Sequence, residues 1–198
     1  MRYRYFGLMF GIVLILGLAG CGGGGAPGST VSQDTDILIN SASVAAESPD
    51  FDAAIHLCDD GKPEDGLFRE GGTMTINATM IDPNLNVDPF PATVKKCTVT
   101  YLKANEDPSS PILDSTTFYP VNCTLLDGDS TCDVTVLDIS RKNEYWNAVS
   151  SGLNLPAEYP THYVAEFDCT YQGRISDQTG TFHATYDFWL ADFDKCTQ

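Results

Sequence analysis

The residues best suited to chemistry in this 198-residue sequence are its carboxylates, because 27 Asp and Glu stand against 11 Lys and Arg. The densest cluster consists of Asp59, Asp60, Glu64 and Asp65. Carboxylate oxygens on a loop are ligands that Ca²⁺ prefers, so this cluster is the candidate calcium site. Two smaller clusters contain Asp127, Asp129 and Asp133, and Asp187, Asp192 and Asp194. None has the spacing of an EF-hand loop, and because turns also favour Asp, ordinary solvated turns are the competing interpretation.

Familiar catalytic motifs are absent from the sequence. It contains no CxxC, GxSxG, HExxH or phosphate-binding-loop pattern. Its three histidines, His56, His162 and His183, have spacings unrelated to any metal or catalytic site. His162 and His183 would be cross-strand neighbours only if the last two strands form a hairpin. The sequence therefore favours a binding protein over an enzyme, and paired carboxylates of the glycosidase type remain the enzymatic alternative.

The seven cysteines are the second chemical resource. Asp127 and Gly128 have the residue types of a two-residue type I′ turn, which would place Leu126 opposite Asp129 in a hairpin. In that register Cys123 lies opposite Cys132 in a closely spaced, non-hydrogen-bonded pair, and a cross-strand disulfide is expected. Because connectivity does not follow strictly from sequence, free thiols or other pairings stay open for these two residues.

The N-terminus combines a basic start, Arg2 and Arg4, with an apolar run from Phe6 to Leu18. About 13 apolar residues are too few to cross the hydrocarbon core, which needs roughly 20, so the run indicates a cleavable signal peptide. The residues Leu18, Ala19, Gly20 and Cys21 that end it resemble the lipobox of bacterial lipoproteins.

This resemblance implies a signal peptide at residues 1–20 and a lipid anchor at Cys21. In such lipoproteins the thiol carries a diacylglyceryl group, and the amino group freed by cleavage carries an acyl chain such as palmitate. Gly22 is not Asp, the residue that retains many such lipoproteins in the inner membrane, so the outer membrane is the expected location. The alternative is a secretory signal peptide followed by an unmodified Cys21.

Composition divides the remainder into a tether and a domain. Residues 21–33 are rich in Gly and small polar residues, which predicts a flexible tether with a reach of roughly 20 Å. The folded domain is then expected over residues 34–198. Loss of Arg2 and Arg4 with the signal peptide would take the net charge from −16 to −18. So acidic a domain disfavours nucleic acid and leaves the lipid anchor as its contact with a membrane.

Alternation of apolar and polar residues is the dominant pattern of the domain and predicts strands. They are expected near residues 37–44, 72–82, 94–103, 112–119, 132–136, 163–171 and 182–190. One short helix is predicted over Arg141–Val149, with Ser140 as its N-cap, Gly152 at its end, and Tyr145, Trp146 and Val149 facing the core. This content predicts an all-β fold, an antiparallel β-sandwich of about seven strands with one helix.

Six cysteines remain after Cys21, an even number that suits disulfides in an oxidising compartment. Besides Cys123 and Cys132, these are Cys58, Cys97, Cys169 and Cys196, among which three pairings are open. Cys97 and Cys169 lie on apolar faces of two predicted strands, an arrangement that resembles the inter-sheet disulfide of immunoglobulin-like domains. The resemblance implies an immunoglobulin-like or fibronectin-like sandwich with Cys97 bonded to Cys169, which leaves Cys58 for Cys196.

These observations predict a non-enzymatic cell-envelope lipoprotein whose disulfide-bonded sandwich binds, or assembles with, an envelope protein or a glycan. The fold alone identifies no partner, because sandwiches carry many unrelated functions. The alternative is a calcium-dependent or carboxylate-based envelope hydrolase that acts on glycans through the acidic loops. A spacer or assembly subunit in a larger surface complex fits the sequence as well as the first hypothesis.

Overall fold

A computed structural model describes residues 30–32, 35–54, 68–84, 86–105, 107–175, 177 and 179–193. The predicted signal peptide, Cys21 and most of the predicted tether lie outside these ranges. The same is true of Cys58, Cys196 and the acidic cluster from Asp59 to Asp65. Within the described ranges, no helix is both long and apolar enough to cross a membrane.

Ten strands and one helix make up the described part of the chain. The strands are β1 (Thr30–Ser32), β2 (Ile37–Ala45), β3 (Asp50–Asp52), β4 (Glu70–Met80), β5 (Ala92–Lys103), β6 (Thr116–Phe118), β7 (Thr124–Leu125), β8 (Gly128–Leu137), β9 (Thr161–Gln172) and β10 (Thr179–Ala191), and the helix is α1 (Ile139–Ser150). All seven predicted strands are present. The additional strands β1, β3 and β7 have only two or three residues, too few for an alternating pattern.

The strands form two sheets, with the order β1-β2-β4-β8 in one and β3-β10-β9-β5-β6 in the other. The short β7 also pairs with β5. Every described pairing is antiparallel except that of β3 with β10. The order β2-β4-β8 facing β10-β9-β5-β6 corresponds to strands A-B-E facing G-F-C-C′ of an immunoglobulin-type sandwich. The predicted fold class is confirmed.

The core lies between the sheets and is built from the apolar faces that the alternation predicted. Strands β9 and β10 contribute the largest inward side chains, including Tyr163, Phe167, Phe182 and Phe188, all fully buried. The polar residues that alternate with them point outward, so the outer faces of both sheets are exposed to solvent. Complete burial of one such aromatic stabilises the fold by about 1.5–3 kcal/mol before entropy is counted.

The helix α1 begins two residues earlier than predicted, because Asp138 and not Ser140 is its N-cap. The Asp138 carboxylate accepts a hydrogen bond of 2.9 Å from the Arg141 backbone N–H. At the other end Gly152 has φ = 71°, as expected for the residue that ends a helix. Tyr145 is fully buried, as predicted, whereas Trp146 and Val149 are only partly buried.

The disulfide between Cys97 and Cys169 is present, but its predicted location between the sheets is wrong. The two residues are register partners on β5 and β9, neighbouring strands of one sheet, with their Cα atoms 4.1 Å apart. The apolar faces were predicted correctly. An inward-facing side chain is buried in either case, however. The pattern therefore does not tell whether two such cysteines lie on neighbouring strands of one sheet or on opposite sheets across the core.

The disulfide between Cys123 and Cys132 is also present, with Cα atoms 5.0 Å apart, and it joins the two sheets. Cys123 accepts a backbone hydrogen bond of 3.0 Å from Val94 of β5, whereas Cys132 belongs to β8 in the opposite sheet. The predicted type I′ hairpin is wrong: Gly128 has φ = 100°, but Asp127 is not in the left-handed region that this turn also requires. The chain before Asp127 pairs with β5 instead of folding back on β8.

Candidate binding groove

The acidic cluster predicted to bind calcium, Asp59, Asp60, Glu64 and Asp65, lies outside the described residues and stays a prediction. Among the residues that are described, no group of three or more His, Cys, Asp or Glu side chains is placed to hold a metal ion. From the smaller clusters, Asp129 instead accepts a hydrogen bond of 2.6 Å from the Asn77 amide. The lipidation residue Cys21 and the pair Cys58 and Cys196 are likewise outside the described chain.

His162 and His183 lie on the outer face of the β9–β10 hairpin, but they are not neighbours. His162 is opposite Trp189, stacks on its indole with ring centroids 4.5 Å apart, and contacts Asp187 at 3.0 Å. His183 pairs with Asp168 at another position of the ladder. Each histidine therefore has a cross-strand partner on a solvent-facing sheet, an arrangement that contributes on the order of 0.2–1 kcal/mol to pairing.

A groove of about 550 Å³ is formed by the described residues. It opens where β8 ends one sheet and β6 ends the other. Its lining comes from Arg69, β4, β8 and the segment after β6, namely Gly71, Gly72, Thr73, Phe118, Tyr119, Pro120, Val121, Asp133, Val134 and Thr135. The groove therefore lies beside strands β8 and β6, which end the two sheets in the described part of the chain.

Two adjacent glycines of β4 lie at the floor of the groove, and their surroundings differ. A Cβ on Gly72 would lie 2.9 Å from the Ala45 carbonyl oxygen of β2 and 3.1 Å from the Val136 side chain of β8, so close contact with the neighbouring strands of its own sheet requires glycine there. A Cβ on the outward-facing Gly71 would meet only the Val134 carbonyl oxygen, at an ordinary 3.7 Å. The fold thus explains Gly72 but leaves Gly71 as bare backbone facing the groove.

The opposite wall is apolar and exposed. Tyr119 and Val121 have 71% and 81% of their surface accessible. Two contacts at the ends of this segment hold it in place: the Cys123–Cys132 disulfide ties it to β8, and the Thr116 hydroxyl donates a 2.9 Å hydrogen bond to the Asp138 carboxylate. The wall is therefore fixed against the sandwich although its side chains face solvent.

Strand β8 itself is a sheet edge in the described structure, because its ten residues pair with β4 and with no other described strand. Beside this edge, side-chain hydrogen bonds on the outer face of the sheet connect β8 with its neighbours. The Asn40 amide donates to Asn77 at 2.7 Å, and Asn77 donates to Asp129 of β8 at 2.6 Å. An edge of this length presents a row of backbone N–H and C=O groups in strand spacing.

In the described part of the chain, shifted pKa values belong to residues that are buried or hydrogen-bonded within the fold. Burial raises the pKa of Tyr145 to about 12, and its hydroxyl shares a 2.8 Å hydrogen bond with Thr161. Burial also raises the pKa of Tyr101 and of Tyr163. Hydrogen bonds, chiefly from the Ser109 hydroxyl, lower the pKa of Asp107. Each shift has a packing or hydrogen-bond cause, and none of these groups lines the groove.

The groove residues were not predicted from the sequence. Arg69 and Gly71 are about 50 positions from the segment Phe118–Val121, and the pairing of β4 with β8 together with a disulfide brings them together. The paired glycines at the start of an otherwise alternating strand were the one available signal, since a glycine in a strand marks a bulge or a close backbone approach.

No protein-family model matches the chain, and no curated protein has significant sequence similarity to it.

Proposed function

We propose that this protein is a lipid-anchored cell-envelope protein, held at the outer membrane through Cys21, whose sandwich domain binds a protein partner by adding a strand to β8. The lipobox resemblance supports the anchor, and the predicted tether of residues 21–33 supports a domain displayed away from the membrane surface.

The outer edge of β8, which pairs with no strand of the described structure, is the observation that carries the proposal. Strand addition uses backbone hydrogen bonds for affinity and side-chain pockets for specificity, and both are available here. The backbone groups of β8 supply the first, and the groove between β4 and the segment Phe118–Val121 supplies the second. A polypeptide matches the strand spacing of these backbone groups, which a glycan does not, so a protein is proposed as the partner.

The hydrolase alternative has no comparable support among the described residues. Its best candidate residues, Asp59, Asp60, Glu64 and Asp65, lie outside the described ranges, so it stays a second hypothesis. For the same reason calcium is not part of the proposed function.

Site-specific photo-crosslinking in intact cells tests the proposal on the full-length protein. A photoreactive phenylalanine derivative replaces Tyr119 at the groove, where the exposed ring makes the change mild, and in the matched control it replaces Ile175, 54% exposed in the β9–β10 turn. We expect an adduct with one envelope protein from position 119 and none from position 175. Equal adducts at both positions, or none at position 119, would reject binding at the β8 edge.

A further inference from the structure

Arg69 lies at the groove, and its environment is unusual for a chain with more than twice as many acidic as basic residues. Two other described cations, Arg141 and Lys142, are paired: Arg141 with Glu144 at 2.7 Å, and Lys142 with Glu70 at 2.5 Å. Arg69 is exposed and forms no hydrogen bond or ion pair with any described residue, although Asp133 lines the same groove. Within the described part of the chain, its guanidinium donors are therefore without a partner and could serve a ligand.

Gly71 is the second, independent observation. Its backbone is not in the left-handed region, and a side chain would fit without a clash, so neither conformation nor packing requires glycine there. Glycine weakens a strand and marks either a bulge, such as the register shift with β8 between Glu70 and Gly71, or a place where another backbone or a ligand approaches closely. Bare backbone beside Arg69, on the strand next to β8, leaves room for an incoming extended chain.

The apolar wall of the groove is the third observation that favours a peptide-binding site. Phe118, Tyr119, Pro120 and Val121 present apolar surface to the groove, and the Cys123–Cys132 disulfide fixes this segment before any ligand arrives. A pre-formed wall reduces the ordering cost of binding. Apolar side chains of an extended ligand can therefore pack on one side while its polar atoms face β8.

We propose that the groove binds an extended peptide segment bearing a carboxylate, which forms a two-point ion pair with Arg69 while an apolar side chain of the peptide packs against Phe118–Val121. This inference rests on the proposed function and specifies the chemistry of the partner segment. Arginine is suited to the task because its planar guanidinium matches a carboxylate with two parallel hydrogen bonds. The carboxylate is either an acidic side chain or the C-terminus of the partner.

Peptide selection on the full-length protein in detergent tests the chemistry. Random decapeptides are displayed with free C-termini and, separately, with both ends fused, and the binders are resynthesised for fluorescence polarisation. We expect each binder to weaken about tenfold when its acidic side chain becomes an amide or its C-terminus is amidated, the loss of one charge-assisted contact. The change that weakens binding identifies which of the two carboxylates is used.

Matched variants tie the effect to the groove. Arg69→Gln should weaken binding about tenfold and should cause no further loss with the neutralised peptide, whereas Lys95→Gln, which removes an exposed charge from the other sheet, should change affinity less than twofold. Gly71→Val should abolish binding and Thr75→Val, on the same face of β4, should not. The inference is overturned if the affinity of the selected peptides is unchanged by Arg69→Gln or by Gly71→Val, or if the library yields no binding peptide.

The two proposals fail in different ways. If a partner crosslinks at position 119 and Arg69→Gln does not change the yield, the strand-addition function is supported and the proposed carboxylate contact is rejected. Absence of a crosslink at position 119 rejects the function itself. Circular dichroism of each variant separates loss of binding from loss of fold.

Discussion

Lys142 shows how a single residue can depart from its sequence pattern and still stabilise the fold. Its side chain is completely buried on α1, and its ammonium lies 2.5 Å from the carboxylate of Glu70 at the start of β4. A buried charge is tolerated only when it is paired, so the pair fastens the helix to the sheet beside the groove. The pattern of apolar positions assigned Tyr145 to the core but could not assign a lysine to it.

Removing one member of this pair should cost far more than removing both. Glu70→Gln removes the carboxylate charge that pairs with the buried ammonium, and because Glu70 is 25% exposed we expect a loss of about 1–3 kcal/mol, below the 3–5 kcal/mol typical of a fully buried pair. The double variant with Lys142→Met should recover part of that loss. Urea unfolding of the two single variants and the double variant measures the coupling, and a loss below about 0.5 kcal/mol for Glu70→Gln would contradict it.

At the scale of elements, the sequence predicted what depends on local alternation and missed what depends on distant pairing. Strands β9 and β10 were predicted nearly to their ends because each alternates over many residues. The sequence predicted that Cys97–Cys169 joins the two sheets and that Cys123–Cys132 joins neighbouring strands, and the structure has the reverse. The reason is that the segment after Cys123 pairs with β5, a long-range contact that local alternation does not indicate. The groove was missed for the same reason, because its wall and floor come from separate parts of the chain.

The two disulfides should therefore have different effects when they are removed. The Cys97–Cys169 bond closes 72 positions of chain and the Cys123–Cys132 bond closes 9. By loop-closure entropy, replacing both members with Ala should cost about 4 kcal/mol for the first bond and about 3 kcal/mol for the second. The second bond attaches the groove wall to β8, so its loss should also reduce crosslinking from position 119.

Guanidinium unfolding and the crosslinking yield together check this separation. The Cys97→Ala/Cys169→Ala variant is the control: it should be the less stable of the two and yet retain the crosslink at temperatures where it is folded. If both double variants lost the crosslink in proportion to their stability, the disulfide at β8 would have no particular role in shaping the groove.

For the whole molecule, the proposed anchor and the binding edge are consistent with each other. A domain with a large negative charge is repelled from anionic lipid surfaces, so in the proposed arrangement the anchor, and not the sandwich, contacts the membrane. An exposed edge strand is also a route to aggregation, and the acidic charge of the chain opposes association between copies while leaving Arg69 available to a ligand.

The anchor itself is tested by two substitutions at adjacent positions. Each buried methylene of an acyl chain contributes about 0.8 kcal/mol, so a chain carrying several acyl groups stays in the membrane and an unmodified one does not. Cys21→Ser should therefore abolish incorporation of labelled palmitate and move the protein out of the membrane fraction. Gly22→Asp should keep the label but shift the protein from the outer to the inner membrane. Label retained in Cys21→Ser would show that acylation occurs elsewhere and would refute the anchor at Cys21.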